Sequence, residues 1–177
     1  DTLLHNDFFP DTFEGRTDHL VFEILYQTGI RRNELFQLKE AHIDRGSGTI
    51  KVLGKGNKER LIPVQPDLLL LIAGYLSEKR TRIPLAADPV LLVNKKGNPL
   101  DPKYVYNVVR SGLGKVSTSE RKSPHVLRHS FATHLTNNGA QIHAIRELLG
   151  HSSLAATQIY MHNTIEKLKE VHKQAHP

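Results

Sequence analysis

Between Ser123 and Tyr160 the chain is punctuated as three short helices, and this punctuation restricts its fold more than any other stretch. Pro124 stands where a first-turn proline is tolerated, and residues 126–135 have helical character. Asn138-Gly139 suits a left-handed helix end, so a stop is expected there. A second helix is predicted over residues 140–149, with Ile142, Ile145, Leu148 and Leu149 as its apolar stripe and Gly150 as its end. Ser152 or Ser153 then caps a third helix that carries Tyr160 near its far end. His125 and Arg128 are three apart and share a helix face, while His151 lands in a turn. Three helix–turn junctions thus carry two imidazoles, a guanidinium and a phenol.

That set suits phosphate chemistry. An arginine binds phosphate bidentately, and a histidine moves a proton or donates a hydrogen bond near neutral pH. A tyrosine can be a covalent nucleophile, but with a pKa near 10 only about one part in a thousand is ionised at pH 7. The deficit is roughly 4 kcal/mol, so a phenol nucleophile needs cations or a base close by. Tyrosine and histidine on amphipathic helices are more often plain core or surface residues, and the stretch alone is suggestive only.

At 177 residues the chain is long enough for one domain with a sizeable core. Lys plus Arg number 24 against 18 Asp plus Glu, giving +6 and a sequence pI near 9.6. That balance favours a polyanionic partner, nucleic acid first. The absence of cysteine removes disulfides, thiolate metal sites and cysteine nucleophiles together. The longest apolar run, residues 68–73, is too short to span a bilayer and no signal peptide opens the chain, so a cytoplasmic protein is expected. Eleven histidines invite a metal, yet no HExxH and no acidic cluster accompanies His125, His129 and His134, so no metal is expected.

From the start, residues 1–14 read as an irregular lead-in, and residues 17–27 as a buried helix broken by Thr28-Gly29. Another helix opens at residues 30–35 and runs through Leu38. Arg31 sits at its start beside backbone donors that favour anions, and Glu34 is one turn on, placed to hold Arg31. On its own, this arginine reads as a solvated side chain at a helix end. Residues 49–53 and 60–64 alternate like strands about the Gly54-Lys55-Gly56-Asn57 turn, a hairpin whose tip and flanks carry Lys55, Lys58 and Arg60. Lys58 and Arg60 are expected to touch a nucleic-acid backbone, with a solvated basic turn as the equal alternative. No GxxxxGK[ST] pattern is present, which argues against nucleotide binding. A helix over residues 66–79, a third strand over 90–93, a helix capped by Asp101 through Val109 and a loop over 111–122 complete the reading.

Four motifs in order, TGIRRNEL, VLGKGNKERLIPV, SPHVLRHSFATHL and ELLGHSSLAATQIY, with the spacings between them, resemble the tyrosine recombinase (phage integrase) family, its bacterial Xer type in particular. The resemblance runs from about Asp18 to about His172. It implies catalytic roles for Arg31, Lys55, His125, Arg128, His151 and Tyr160, with Glu34 as the supporting acid. Asn33 stands where serine is usual, a departure without catalytic consequence. The implied activity is site-specific cleavage and rejoining of DNA through a 3′-phosphotyrosine, without metal, cofactor or ATP. It serves chromosome-dimer resolution or the integration and excision of mobile elements.

The implied fold is α-rich with a small three-stranded antiparallel sheet, the catalytic domain of such recombinases across residues 1–177. The N-terminal core-binding domain usual in the family is not encoded in this stretch. Residues 163–177 are expected to form a tail helix that docks on a neighbouring protomer. So short a helix is marginal alone and needs a surface. The implied partners are double-stranded DNA and further recombinase protomers in a synaptic tetramer, with no membrane and no small-molecule substrate. Two rivals stay open: DNA relaxation of the type IB topoisomerase kind, and a non-catalytic DNA-binding regulator.

Overall fold

A computed structural model describes residues 9–84, 89–116 and 122–150. Helix α1 (Phe13–Thr28) is its axis. Thr12 caps α1 by accepting a hydrogen bond from the Gly15 amide at 3.0 Å, and Gly29 ends it in the left-handed conformation, φ 60°. Leu20, Val21, Phe22, Ile24 and Leu25 are all buried, so α1 is apolar around most of its circumference and must be enclosed. Three helices enclose it: α3 (Pro66–Arg82), α4 (Pro102–Val116) and α5 (Pro124–Asn137). Full burial of Phe22 alone stabilises the fold by roughly 1.5–3 kcal/mol relative to exposure. Among the described residues no helix is long and apolar enough to cross a membrane.

The short α2 (Arg32–Phe36) follows Gly29-Ile30-Arg31, and α6 (Ile142–Leu148) follows α5 across the Gly139 turn. One antiparallel sheet stands beside the helices in the order β1 (Ile43–Asp44), β2 (Thr49–Leu53), β3 (Glu59–Pro63). Ile50 pairs with Ile62 and Val52 with Arg60, and this face points into the core. The α-rich fold with a three-stranded sheet is the one expected.

Its third strand is a different segment. Residues 90–93 make only isolated bridges, Lys39 with Val90 and Val93 with Pro99. Their backbone groups are satisfied elsewhere. Leu91 N–H donates to the Leu38 carbonyl at 2.7 Å, Val93 N–H donates to the Tyr75 hydroxyl at 3.1 Å, and the buried Lys79 ammonium donates to the Val90 and Leu91 carbonyls. A segment so satisfied has no ladder to offer, and Ile43–Asp44 takes the sheet edge instead.

Helix α4 also outruns its expected end at Val109, passing through Ser111 and Gly112. A Cβ at Gly112 would come within 2.9 Å of Phe22 Cε2, so this glycine is the notch that lets α4 close on α1. Helix α1 likewise begins at Phe13, inside the expected lead-in.

Candidate active site

Glu34 is the centre of the charged cluster. Its side chain is only 6% exposed, and a carboxylate that far from water must be paired. Arg60 pairs it in fork geometry, Nη1 to Oε1 at 2.9 Å and Nη2 to Oε2 at 2.8 Å. The Arg31 backbone N–H adds 2.7 Å to Oε2, a capping-box bond that starts α2, and Arg31 Nη1 lies 3.1 Å from Oε1. Burial by itself would raise the Glu34 carboxyl. The hydrogen bonds from Arg60 and from the Arg31 amide, with both guanidinium charges, outweigh burial and hold it below the usual carboxylate range.

Arg128 arrives from α5, a third of the way along that helix and half-buried. Its Nη1 donates to the Gly29 carbonyl and its Nη2 to the Leu149 carbonyl, each at 2.6 Å. The two acceptors lie at the C-terminal ends of α1 and α6, where carbonyls lack helical partners and carry partial negative charge. Burial, then the charge of Arg31, and further the charge of Arg60, push the Arg128 guanidinium down to about 10, against the pull of Glu34. It stays protonated at neutral pH and sits in a positive field. The guanidiniums of Arg31 and Arg60 pair with Glu34 while that of Arg128 lies in their field, so among the described residues the cluster is net positive, an arrangement that favours an anion.

The resemblance-derived residues fall into three groups. Arg31, Glu34 and Arg128 are brought together. Lys55 opens a single 3₁₀ turn at the hairpin tip and is exposed, as are Lys58 beside it and His125, the second residue of α5. His151 and Tyr160 lie outside the described residues, as does the tail over residues 163–177.

Arg60 differs from its expected place as an outward contact to a nucleic-acid backbone. Its side chain is 12% exposed and is committed inward through Nε, Nη1 and Nη2. Strand parity carried that signal: Arg60 shares a face with Ile62 and Val64, both apolar and both buried. Gly29, whose carbonyl holds Arg128, carried no signal beyond that of a helix stop.

Residues 7–167 match the phage integrase family. The chain belongs to that family. The integrase-family chain is 41% identical over 170 residues to the tyrosine recombinase XerC of Chlorobaculum parvum, covering 93% of this chain and 51% of that protein. It is 42% identical over 161 residues to the tyrosine recombinase XerC of a Mycobacterium species, covering 90% of this chain and 54% of the relative. Among solved structures it is similar to the XerH site-specific recombinase bound to its difH substrate in a pre-cleavage complex. The TM-score there is 0.75 at 30% identity, over 99% of this chain and 52% of that one. The XerA recombinase gives a TM-score of 0.68 at 30% identity, over 92% of this chain and 57% of that one. The chain spans about half the length of the XerC relatives it matches.

Proposed function

We propose that this chain is the catalytic portion of a site-specific DNA recombinase, cutting and rejoining strands through a 3′-phosphotyrosine. The observation that carries the reading is the cluster of Arg31, Arg60 and Arg128 about a single Glu34, an electropositive cradle in an integrase-family chain. Arg31 is 37% exposed and Arg60 only 12%, so of the two guanidiniums that pair with Glu34 it is Arg31 that is held toward solvent.

In this mechanism Arg31 and Arg128 bind the non-bridging oxygens of the scissile phosphate and offset the charge that builds in the transition state. His151 adds a hydrogen bond to the same oxygens. The Tyr160 hydroxyl attacks phosphorus and passes its proton to His125. A P–Oη bond forms, the bond to the 5′-oxygen breaks, and Lys55 protonates that oxygen as it leaves. The 3′-phosphotyrosine keeps one phosphoester bond for the one broken, so a 5′-hydroxyl from another strand can reverse the step without ATP.

Two such exchanges on paired protomers pass through a four-way junction. The proposed partners are therefore double-stranded DNA and further copies in a tetramer, with residues 163–177 docking between protomers. The work is placed in the cytoplasm on chromosomal DNA, in dimer resolution or mobile-element movement.

The deciding experiment incubates the chain with nicked duplexes carrying candidate recombination sites. A denaturant-resistant adduct on the 3′ side of the break is expected from the native sequence and none from Tyr160→Phe. An adduct persisting at the native level in Tyr160→Phe overturns the assignment.

A further inference from the structure

Arg60 stands on the inward face of β3, opposite Val52, where an unpaired guanidinium would be costly. Every contact it makes joins a different part of the site. Its fork holds both oxygens of Glu34 at the start of α2. Its Nε donates to the Leu148 carbonyl at 2.6 Å, at the end of α6. A Cβ placed on Gly150, in the turn that follows, would lie 3.1 Å from Arg60 Nη1 and 3.5 Å from Arg31 Nη1, and φ there is +71°. A Cβ on Gly54, where β2 enters the hairpin turn, would lie 3.5 Å from the same Nη1. Gly54 directly precedes Lys55, and Gly150 directly precedes His151.

The charge arithmetic points the same way. Arg31 and Arg60 both reach Glu34 Oε1, but Arg31 spends one side-chain nitrogen on the carboxylate and Arg60 spends two. Remove the Arg60 charge, and the whole carboxylate falls to Arg31. The nearest cation for an incoming phosphate is then drawn inward, and its charge is spent on the carboxylate rather than on that phosphate.

We propose that Arg60 is a positioning residue for the strand-cleavage reaction: it neutralises Glu34 so that Arg31 remains available to the scissile phosphate, and it ties the start of the hairpin turn and the Leu148–Gly150 turn to that phosphate site. The inference rests on the recombinase reading above. It assigns Arg60 no contact with the reacting atoms.

The test measures single-turnover adduct formation and duplex binding separately for the native chain, Arg60→Met, Arg60→Lys, and Arg60→Met combined with Glu34→Gln. Two nicked substrates are used, one with an ordinary scissile phosphate and one with a methylphosphonate there, which removes one non-bridging negative charge. Arg60→Met is expected to bind duplex as the native chain does and to cleave about 10- to 100-fold more slowly, the scale on which loss of an outer-shell partner that orients a metal ligand acts. That deficit should shrink on the methylphosphonate, and adding Glu34→Gln should restore part of the lost rate on the ordinary phosphate.

Arg60→Lys keeps the charge but cannot span both Glu34 oxygens and the Leu148 carbonyl at once. It should fall between the native chain and Arg60→Met, and it carries the test if Arg60→Met does not fold. A purely structural role would lower the melting temperature and leave the ratio between the two substrates unmoved. Native-rate cleavage by both single variants, or a deficit equal on both substrates and unrelieved by Glu34→Gln, overturns the proposal. A native chain that forms no adduct fails the recombinase reading itself and takes this inference with it.

Discussion

Substituting Gly29 by alanine perturbs fold and site at one atom. Gly29 holds φ +60° at the end of α1, and an alanine there occupies the left-handed region at a cost of roughly 1–2 kcal/mol. Its Cβ would also lie 2.4 Å from Phe131 Cδ1 and 3.1 Å from Leu149 Cδ2. Phe131 is a buried ring on α5, so it cannot swing into solvent, and overpacking of this kind costs roughly 1–3 kcal/mol. The sum is roughly 2–5 kcal/mol. Gly139 supplies the control: φ is +86° just past the end of α5, with nothing within 4 Å of its missing Cβ. Gly139→Ala therefore bears the backbone cost alone, roughly 1–2 kcal/mol. The entropy that alanine removes from the unfolded chain is common to both variants and cancels between them. Urea unfolding should give Gly29→Ala the lower midpoint, with the slope unchanged and a difference between variants of roughly 1–3 kcal/mol. Because the Gly29 carbonyl accepts from Arg128, adduct formation should also slow in Gly29→Ala and not in Gly139→Ala. Equal urea midpoints for the two variants would refute the packing argument.

The depressed Glu34 carboxyl makes a signed pH prediction. Its stabilisation is fully present above the ordinary value of 4.5 and is lost as pH falls through the lower folded value, so Glu34→Gln should flatten the acid limb of stability against pH. An acid limb identical to that of the native chain in urea titrations would refute it. For Lys55, the general-acid role predicts that Lys55→Ala cleaves ordinary DNA slower by roughly 10²–10⁴. Most of that rate should return on a strand with 5′-bridging sulfur, because a thiolate leaves without a proton. Arg31→Ala and Arg128→Ala should not recover on that strand. A Lys55→Ala chain equally slow on both strands would assign Lys55 to positioning.

Most of the helical framework was legible in the order of residues. Pro66, Pro124, Asn138-Gly139 and Gly150 mark helix boundaries by backbone chemistry that needs no tertiary partner. The pairing of Arg31 with Glu34 was legible for the same reason, since three residues on a helix start bring the two side chains together. The hairpin over residues 49–63 followed from alternation and its Gly-rich turn.

Packing decided the rest. Nothing in the apolar run of residues 90–93 foretells that Lys79 and Tyr75, from α3, take up their backbone groups, nor that two residues at Ile43–Asp44 suffice for a sheet edge. Gly112 reads as a breaker until Phe22 lies against it. Arg60 reads as a cation on a basic hairpin, but the sheet face it occupies and the carboxylate waiting there come from segments far apart in the chain. Local chemistry sets where elements begin and end. Which buried charge neutralises which is an electrostatic question between distant segments, and only the folded chain brings Glu34, Arg60, Arg128 and the Gly29 and Leu149 carbonyls within hydrogen-bond reach.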